Sequence, residues 1–347
     1  MNQELLATAT KNVTDFLTLA IEHKAPERAL VVYDTRHGLT DIMTAAYRNA
    51  LPDARFIDFD KTSKEDILAA FDEMKPKDLV VLIQSSNFLL DAFRIRLHLF
   101  EKGLKVIEHL HLHRNTEKVW DVYINSIAYD INWYRNIGPW IKSKLDPAKE
   151  LCIEGEDAVL TVSGPLLPSL LNIGNYAGMK NVGGTLPIGE VISECVNFED
   201  MNGSMKLFAY ADTDFETMIL KPFRVDIKES LVVGWNENTP ESFGRMVENV
   251  KKYERPIIRE LGFGLNRAVT KERYLEDITA FERLVGLHLS LGEKHSIYKK
   301  EGIVAHKSKF HIDIFLVTDR MLVDGVPFFE NGKFLMPEDY KSNLFTR

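Results

Sequence analysis

Ala29-Leu30-Val31-Val32-Tyr33-Asp34 is the stretch whose reading decides the fold. It is a short, continuous apolar run that ends on a carboxylate. A strand covered on one face alternates apolar and polar side chains. A run without alternation fits a strand covered on both faces, as in a parallel sheet with helices above and below. The neighbouring segments agree. Glu4 to His23 and Thr40 to Asn49 carry apolar residues at helical spacing, and Arg55 to Phe59 is a second short strand. Ser63-Lys64-Glu65-Asp66 opens the next helix, with Ser63 as N-cap and Asp66 three residues on. A strand over Asp78 to Gln84, a helix over Asn87 to Glu101 and a strand over Lys105 to Leu110 follow. Helical patterns then run to about Lys144. Repeated strand–helix units predict an α/β chain whose residues 1–150 form a doubly wound parallel sheet domain of flavodoxin-like style. No Gly-x-Gly-x-x-Gly follows the first strand, so the dinucleotide fingerprint is absent.

The character changes near Asp146-Pro147. Strand-like runs separated by glycine and proline take over, among them Leu151 to Ile153, Ala158 to Val162 and Leu231 to Trp235. Thr239 to Tyr253 and Glu272 to Leu284 have helical spacing, with Pro240 at the first helical position of the former. Asp324-Gly325 and Asn331-Gly332 are hairpin turn signals. An α+β domain over residues 151–347 is expected to carry the site.

The chain has 347 residues and a formal net charge of -8. It is long enough for a sizeable core, and its mild acidity argues against a general nucleic-acid binder. With only Cys152 and Cys195, a disulfide framework is excluded, and a reducing, cytoplasmic setting is expected. Met1-Asn2-Gln3-Glu4 lacks the pattern of a signal peptide. No apolar run approaches the roughly 20 residues that span a bilayer, so no membrane partner is expected.

Chemistry concentrates beyond residue 180. Lys309-Phe310-His311-Ile312-Asp313-Ile314-Phe315-Leu316 alternates as a strand does, which places His311 and Asp313 on one face. Gly286-Leu287-His288-Leu289-Ser290-Leu291-Gly292 does the same for His288 and Ser290. A glycine-rich loop, Asn181 to Gly189, delivers Glu190 at the start of a strand. Glu260-Leu261-Gly262-Phe263-Gly264-Leu265-Asn266 contributes a further carboxylate. Three carboxylates and two imidazoles suit one or two divalent ions held by N and O ligands.

These segments, in this order, resemble the thermophilic metallo-aminopeptidase family of aminopeptidase T. That family shows Pro-x-Gly-Glu, then Glu-x-Gly-x-Gly-x-Asn, then Gly-x-x-His-x-x-x-Gly, then Ser-x-x-His-x-Asp. Here they stand at Pro187 to Glu190, Glu260 to Asn266, Gly286 to Gly292 (one residue shorter before the His) and Ser308 to Asp313. The resemblance covers about residues 180 to 335. It implies Glu190, Glu260, His288, His311 and Asp313 as ligands of a pair of zinc, cobalt or manganese ions. It also implies a peptide substrate and a homodimer, and Glu282 as catalytic acid or base. The family's tyrosine seven residues after its first site histidine is His295 here, with Tyr298 nearby as a substitute. Related branches resemble 2,5-dihydroxypyridine 5,6-dioxygenase, a mononuclear non-haem iron enzyme, and peptide-binding proteins of natural-product biosynthesis.

Three other clusters stand out. Glu108-His109-Leu110-His111-Leu112-His113 would put three imidazoles on one face if extended. Asp34-Thr35-Arg36-His37 ends the first strand, where open α/β sheets bind ligands. Trp120, Trp133, Tyr134 and Trp140 read as packing residues, since no basic cluster accompanies them.

Overall fold

The computed structural model describes residues 2–90, 94–211, 215–294, 298–299, 303 and 307–342. The chain divides into two compact units. One comprises Met1–Arg135, Ile173–Gly189 and Glu272–Ala280; the other comprises Asn136–Asn172, Glu190–Lys271 and Phe281–Arg347. No helix among the described residues is long and apolar enough to cross a membrane.

The first unit is built on a parallel sheet, five-stranded among the described residues. Ala29–Tyr33 pairs with Arg55–Asp58 on one side and Leu79–Ile83 on the other. Lys105–His109 extends the sheet from Leu79–Ile83. The absence of alternation noted in the sequence has its cause here, because Leu79–Ile83 and Lys105–His109 are buried along their whole length. Leu30, Val32, Val80, Leu82 and Val106 share a core with Ile67 and Phe71 of helix Lys64–Asp72 and Leu99 of helix Ile95–Glu101. The alternate residues face the other way, where His109 meets Tyr47 of helix Gly38–Ala50 and Tyr123 of helix Trp120–Ser126. The Ser63 cap forms, its hydroxyl accepting from the Asp66 amide at 3.1 Å.

The fifth strand corrects the sequence reading. Val182–Leu186, expected as a loop, pairs in parallel with Lys105–His109. Val182-Gly183-Gly184 gives no hydrophobic period to read, yet glycine is what the strand requires. A Cβ on Gly183 (φ +100) would lie 2.0 Å from the Val106 carbonyl oxygen. The three histidines do not share a face either. His109 belongs to the strand, His111 is left-handed (φ 51), and Leu112–Arg114 is a 3-10 turn.

The second unit carries a large antiparallel sheet, thirteen-stranded among the described residues. Its middle runs Met201–Ala211, Ile312–Leu316, Gly286–Leu291, Ile258–Gly264, Glu190–Glu194, each antiparallel to the next. Asp324-Gly325 and Asn331-Gly332 turn two successive hairpins, with all four residues at positive φ as two-residue turns of this kind require. The helix expected over Thr239 to Tyr253 is Glu241–Lys251, with Pro240 just outside it.

The helix expected over Glu272 to Leu284 shrinks to Ile278–Phe281. Tertiary pairing takes the rest: the Asn266 amide donates to the Arg283 carbonyl at 2.8 Å, and Leu284 bridges to Asn266. The strand expected from Lys309 begins at Ile312. The Lys309 and Phe310 amides donate instead to the Glu254 carboxylate, at 2.7 and 3.2 Å.

Candidate metal centre

Register assembles the site. Gly264 stands opposite Glu190, Gly262 opposite Ile192, and Glu260 opposite Glu194. On the next ladder Gly262 stands opposite His288, and on the one after that His288 faces Phe315 and Ser290 faces Asp313. Residues directly opposite share a face, as do residues two apart on one strand. Glu190, Glu260, His288, Ser290 and Asp313 therefore emerge on one face of four adjacent strands. The period-two reading of the His288 and Asp313 strands leads directly to this arrangement.

Glycine makes room for the imidazole. A Cβ on Gly262 would lie 2.1 Å from His288 Cε1, so the ring rests on bare backbone. His288 Nε2 lies 3.2 Å from Glu190 Oε1 and 3.7 Å from Glu260 Oε1. The Ser290 hydroxyl accepts from the Glu260 amide at 3.1 Å, where the ladder between the two strands shifts register between Ile258 and Leu261. Among the described residues, two sets of three side chains bring a donor atom each to within 4.8 Å of one another: Glu190, Glu260 and His288, and Glu282, His288 and Asp313. His311 stands at the rim, partly exposed. Its Nε2 is 3.3 Å from Asp313 Oδ1 and its Nδ1 is 3.0 Å from the Lys294 carbonyl. Of the residues singled out in the sequence, Glu190, Glu260, His288, Glu282 and Asp313 meet in the two sets; His311 touches them through Asp313.

His295 lies outside the described residues. The Tyr298 hydroxyl sits 2.9 Å from both the Pro168 and Ile192 carbonyls, so its proton is directed to backbone. Sequence reasoning gave no role to Arg283. Its guanidinium contacts the Glu190 carboxylate and lies 2.7 Å from Glu282 Oε1. The one available signal was its place beside Glu282 in Phe281-Glu282-Arg283. Buried Arg259 pairs with buried Glu194, the residue opposite Glu260, at 3.1 Å and was also missed.

The electrostatics are those of a crowded acidic face. Burial pushes the Glu282 carboxyl well above its ordinary value; Arg283 opposes that shift, and Glu190 and Asp313 add to it. Burial works against charge on His288, but Glu190 and Glu260 outweigh it and hold the imidazole well above the usual range. The same contest at His311, with Asp313 the chief partner, ends at about 10.

A divalent ion fits this donor set. His288 Nε2, Glu190 Oε1 and Asp313 Oδ1 are buried and lack an aligned hydrogen bond. Buried polar atoms are rarely left so, and a cation is the partner that carboxylate and imidazole donors share.

No protein-family model matches the chain, and no curated protein matches it. Solved structures do. The 2,5-dihydroxypyridine dioxygenase from Pseudomonas putida KT2440 aligns with a TM-score of 0.65 at 14% identity, over 96% of this chain and 98% of that one. Wild-type AmpT from Thermus thermophilus aligns with a TM-score of 0.59 at 11% identity, over 95% and 99%. The chain shares the fold of both. Identities this low carry the architecture, and the activity has to be argued from the side chains.

Proposed function

We propose that this chain is a metal-dependent hydrolase that removes N-terminal residues from peptides, as aminopeptidases of this fold do. The observation that supports it is the pair of donor sets meeting at His288 on one buried face. Glu190, Glu260, His288 and Asp313 would hold zinc, cobalt or manganese. Such an ion, when bound, lowers the pKa of a water toward neutrality and polarises the scissile carbonyl. The remaining work falls to the protein. Glu282, whose carboxyl burial favours in its protonated form, can hand a proton to the departing amine. The carboxylate-rich face attracts the free α-amine of a peptide, while an acetylated terminus offers neither charge nor lone pair.

A second reading is a mononuclear iron ring-cleaving dioxygenase. It is favoured by the two imidazoles flanking one carboxylate, with His311 3.3 Å from Asp313 and His288 grouped with it. One experiment separates the two. Protein loaded with cobalt or zinc should release amino acids from short unblocked peptides and leave N-acetylated ones intact. Equal cleavage of both would rule out the aminopeptidase. Oxygen-dependent ring opening with iron(II), and no peptide cleavage, would establish the second reading.

A further inference from the structure

We propose that Arg283 supplies, from the protein itself, the positive charge a second metal ion would bring, so that the site takes one divalent ion. The inference rests on the reading of this face as a metal centre and concerns how many ions it accepts.

Three observations converge on it. First, the guanidinium bridges the two donor sets. It contacts Glu190, a member of one, and lies 2.7 Å from Glu282, a member of the other. Guanidinium forks match carboxylate oxygens well, and once engaged those oxygens are poor metal donors. Second, both sets draw on His288. The two sets are therefore contiguous, and a second ion would sit beside the first at carboxylates the guanidinium already engages. Around the bridge, the donors left without an aligned hydrogen bond are Glu190 Oε1, His288 Nε2 and Asp313 Oδ1, a set suited to one ion.

Third, Arg283 is placed by the backbone rather than by a freely swinging side chain. Its carbonyl accepts from the Asn266 amide at 2.8 Å. The chain at 283–284 crosses so close above Gly264 that a Cβ there would lie 1.9 Å from the Leu284 carbonyl oxygen. The residue is also only 8% exposed. A charged group buried this far needs partners: Glu190 supplies the opposite charge and Glu282 a further oxygen acceptor. A second ion at the same carboxylates would have to evict a cation that has no water to retreat to.

The test is a metal count on the full chain. After equilibrium dialysis against excess zinc or cobalt, the wild type should retain one equivalent. Arg283→Met, which removes charge and fork together, should retain two; Arg283→Lys, which keeps the charge, should retain one. Cobalt-loaded wild type should show the EPR signal of isolated high-spin ions. Two equivalents in the wild type, or a spin-coupled cobalt pair, would overturn the proposal while leaving the metal centre standing, whether or not the Met variant folds. One equivalent in a folded Met variant would equally overturn it. No metal in any variant would remove the metal-centre reading as well.

Discussion

At Gly262 the missing side chain is as consequential as any ligand. The His288 ring occupies the space a Cβ would fill, so Gly262→Ala must move the ring, the strand or both. Overpacking of this kind costs about 1–3 kcal/mol. The expected outcome is a folded protein with that loss in urea unfolding and at least roughly tenfold weaker zinc binding, since a displaced imidazole no longer meets Glu190 and Glu260. Unchanged zinc affinity would show that the imidazole is not a ligand. The protonation of His288 gives an independent check. Its carboxylate neighbours hold the proton on the metal-free imidazole at neutral pH, and a metal needs the lone pair that proton occupies. Zinc uptake should therefore release about one proton from His288, and affinity should rise with pH across the neutral range by about tenfold per unit per proton released. Calorimetry in buffers of different ionisation enthalpy reads that number, and a value of zero would contradict the assignment.

Among the strands and turns, what could be read in advance was what a side-chain period or a turn dipeptide encodes. His288 with Ser290 follows from period two, and the hairpins follow from Asp-Gly and Asn-Gly; His311 meets Asp313 as the spacing suggested, but from just before the strand. What could not be read was set by tertiary hydrogen bonds or by glycine. Glu254 takes the amides of Lys309 and Phe310, Asn266 takes the carbonyl of Arg283, and Val182–Leu186 is a strand whose glycines carry no pattern. Arg283 fell in the same gap, because its role depends on where Leu284 crosses Gly264. The turns make a contrasting prediction. Gly332 sits at φ +79, and a Cβ there would meet nothing within 4 Å, so alanine costs only backbone strain, about 1–2 kcal/mol. Gly332→Ala should lower urea stability by that amount and leave metal stoichiometry untouched. A loss several times larger would mean the hairpin does more than turn the chain.

The acid stability of the whole protein should depend on a histidine outside the metal centre. His109 is fully buried in the first unit, its Nε2 2.9 Å from the Tyr47 hydroxyl and its Nδ1 2.9 Å from the Tyr123 hydroxyl. A neutral imidazole satisfies both, donating from one nitrogen and accepting at the other. Burial drives its pKa down to about 3 from the usual 6.5. The sign follows. Above pH 6.5 neither the folded nor the unfolded chain protonates this residue, and it leaves stability independent of pH. As pH falls below 6.5 the unfolded chain takes up a proton that the folded one refuses, and stability drops until the folded pKa near 3 is reached. One proton corresponds to about 1.4 kcal/mol per pH unit over that window. His109→Gln keeps a donor and an acceptor but cannot titrate. It should be less stable than the wild type at pH 7, because the amide fits the two tyrosines less well, yet its stability should fall less steeply with acid. Urea unfolding at several pH values between 4 and 7 measures both slopes. Parallel slopes would place the acid sensitivity elsewhere; a difference of about one proton would place it at His109.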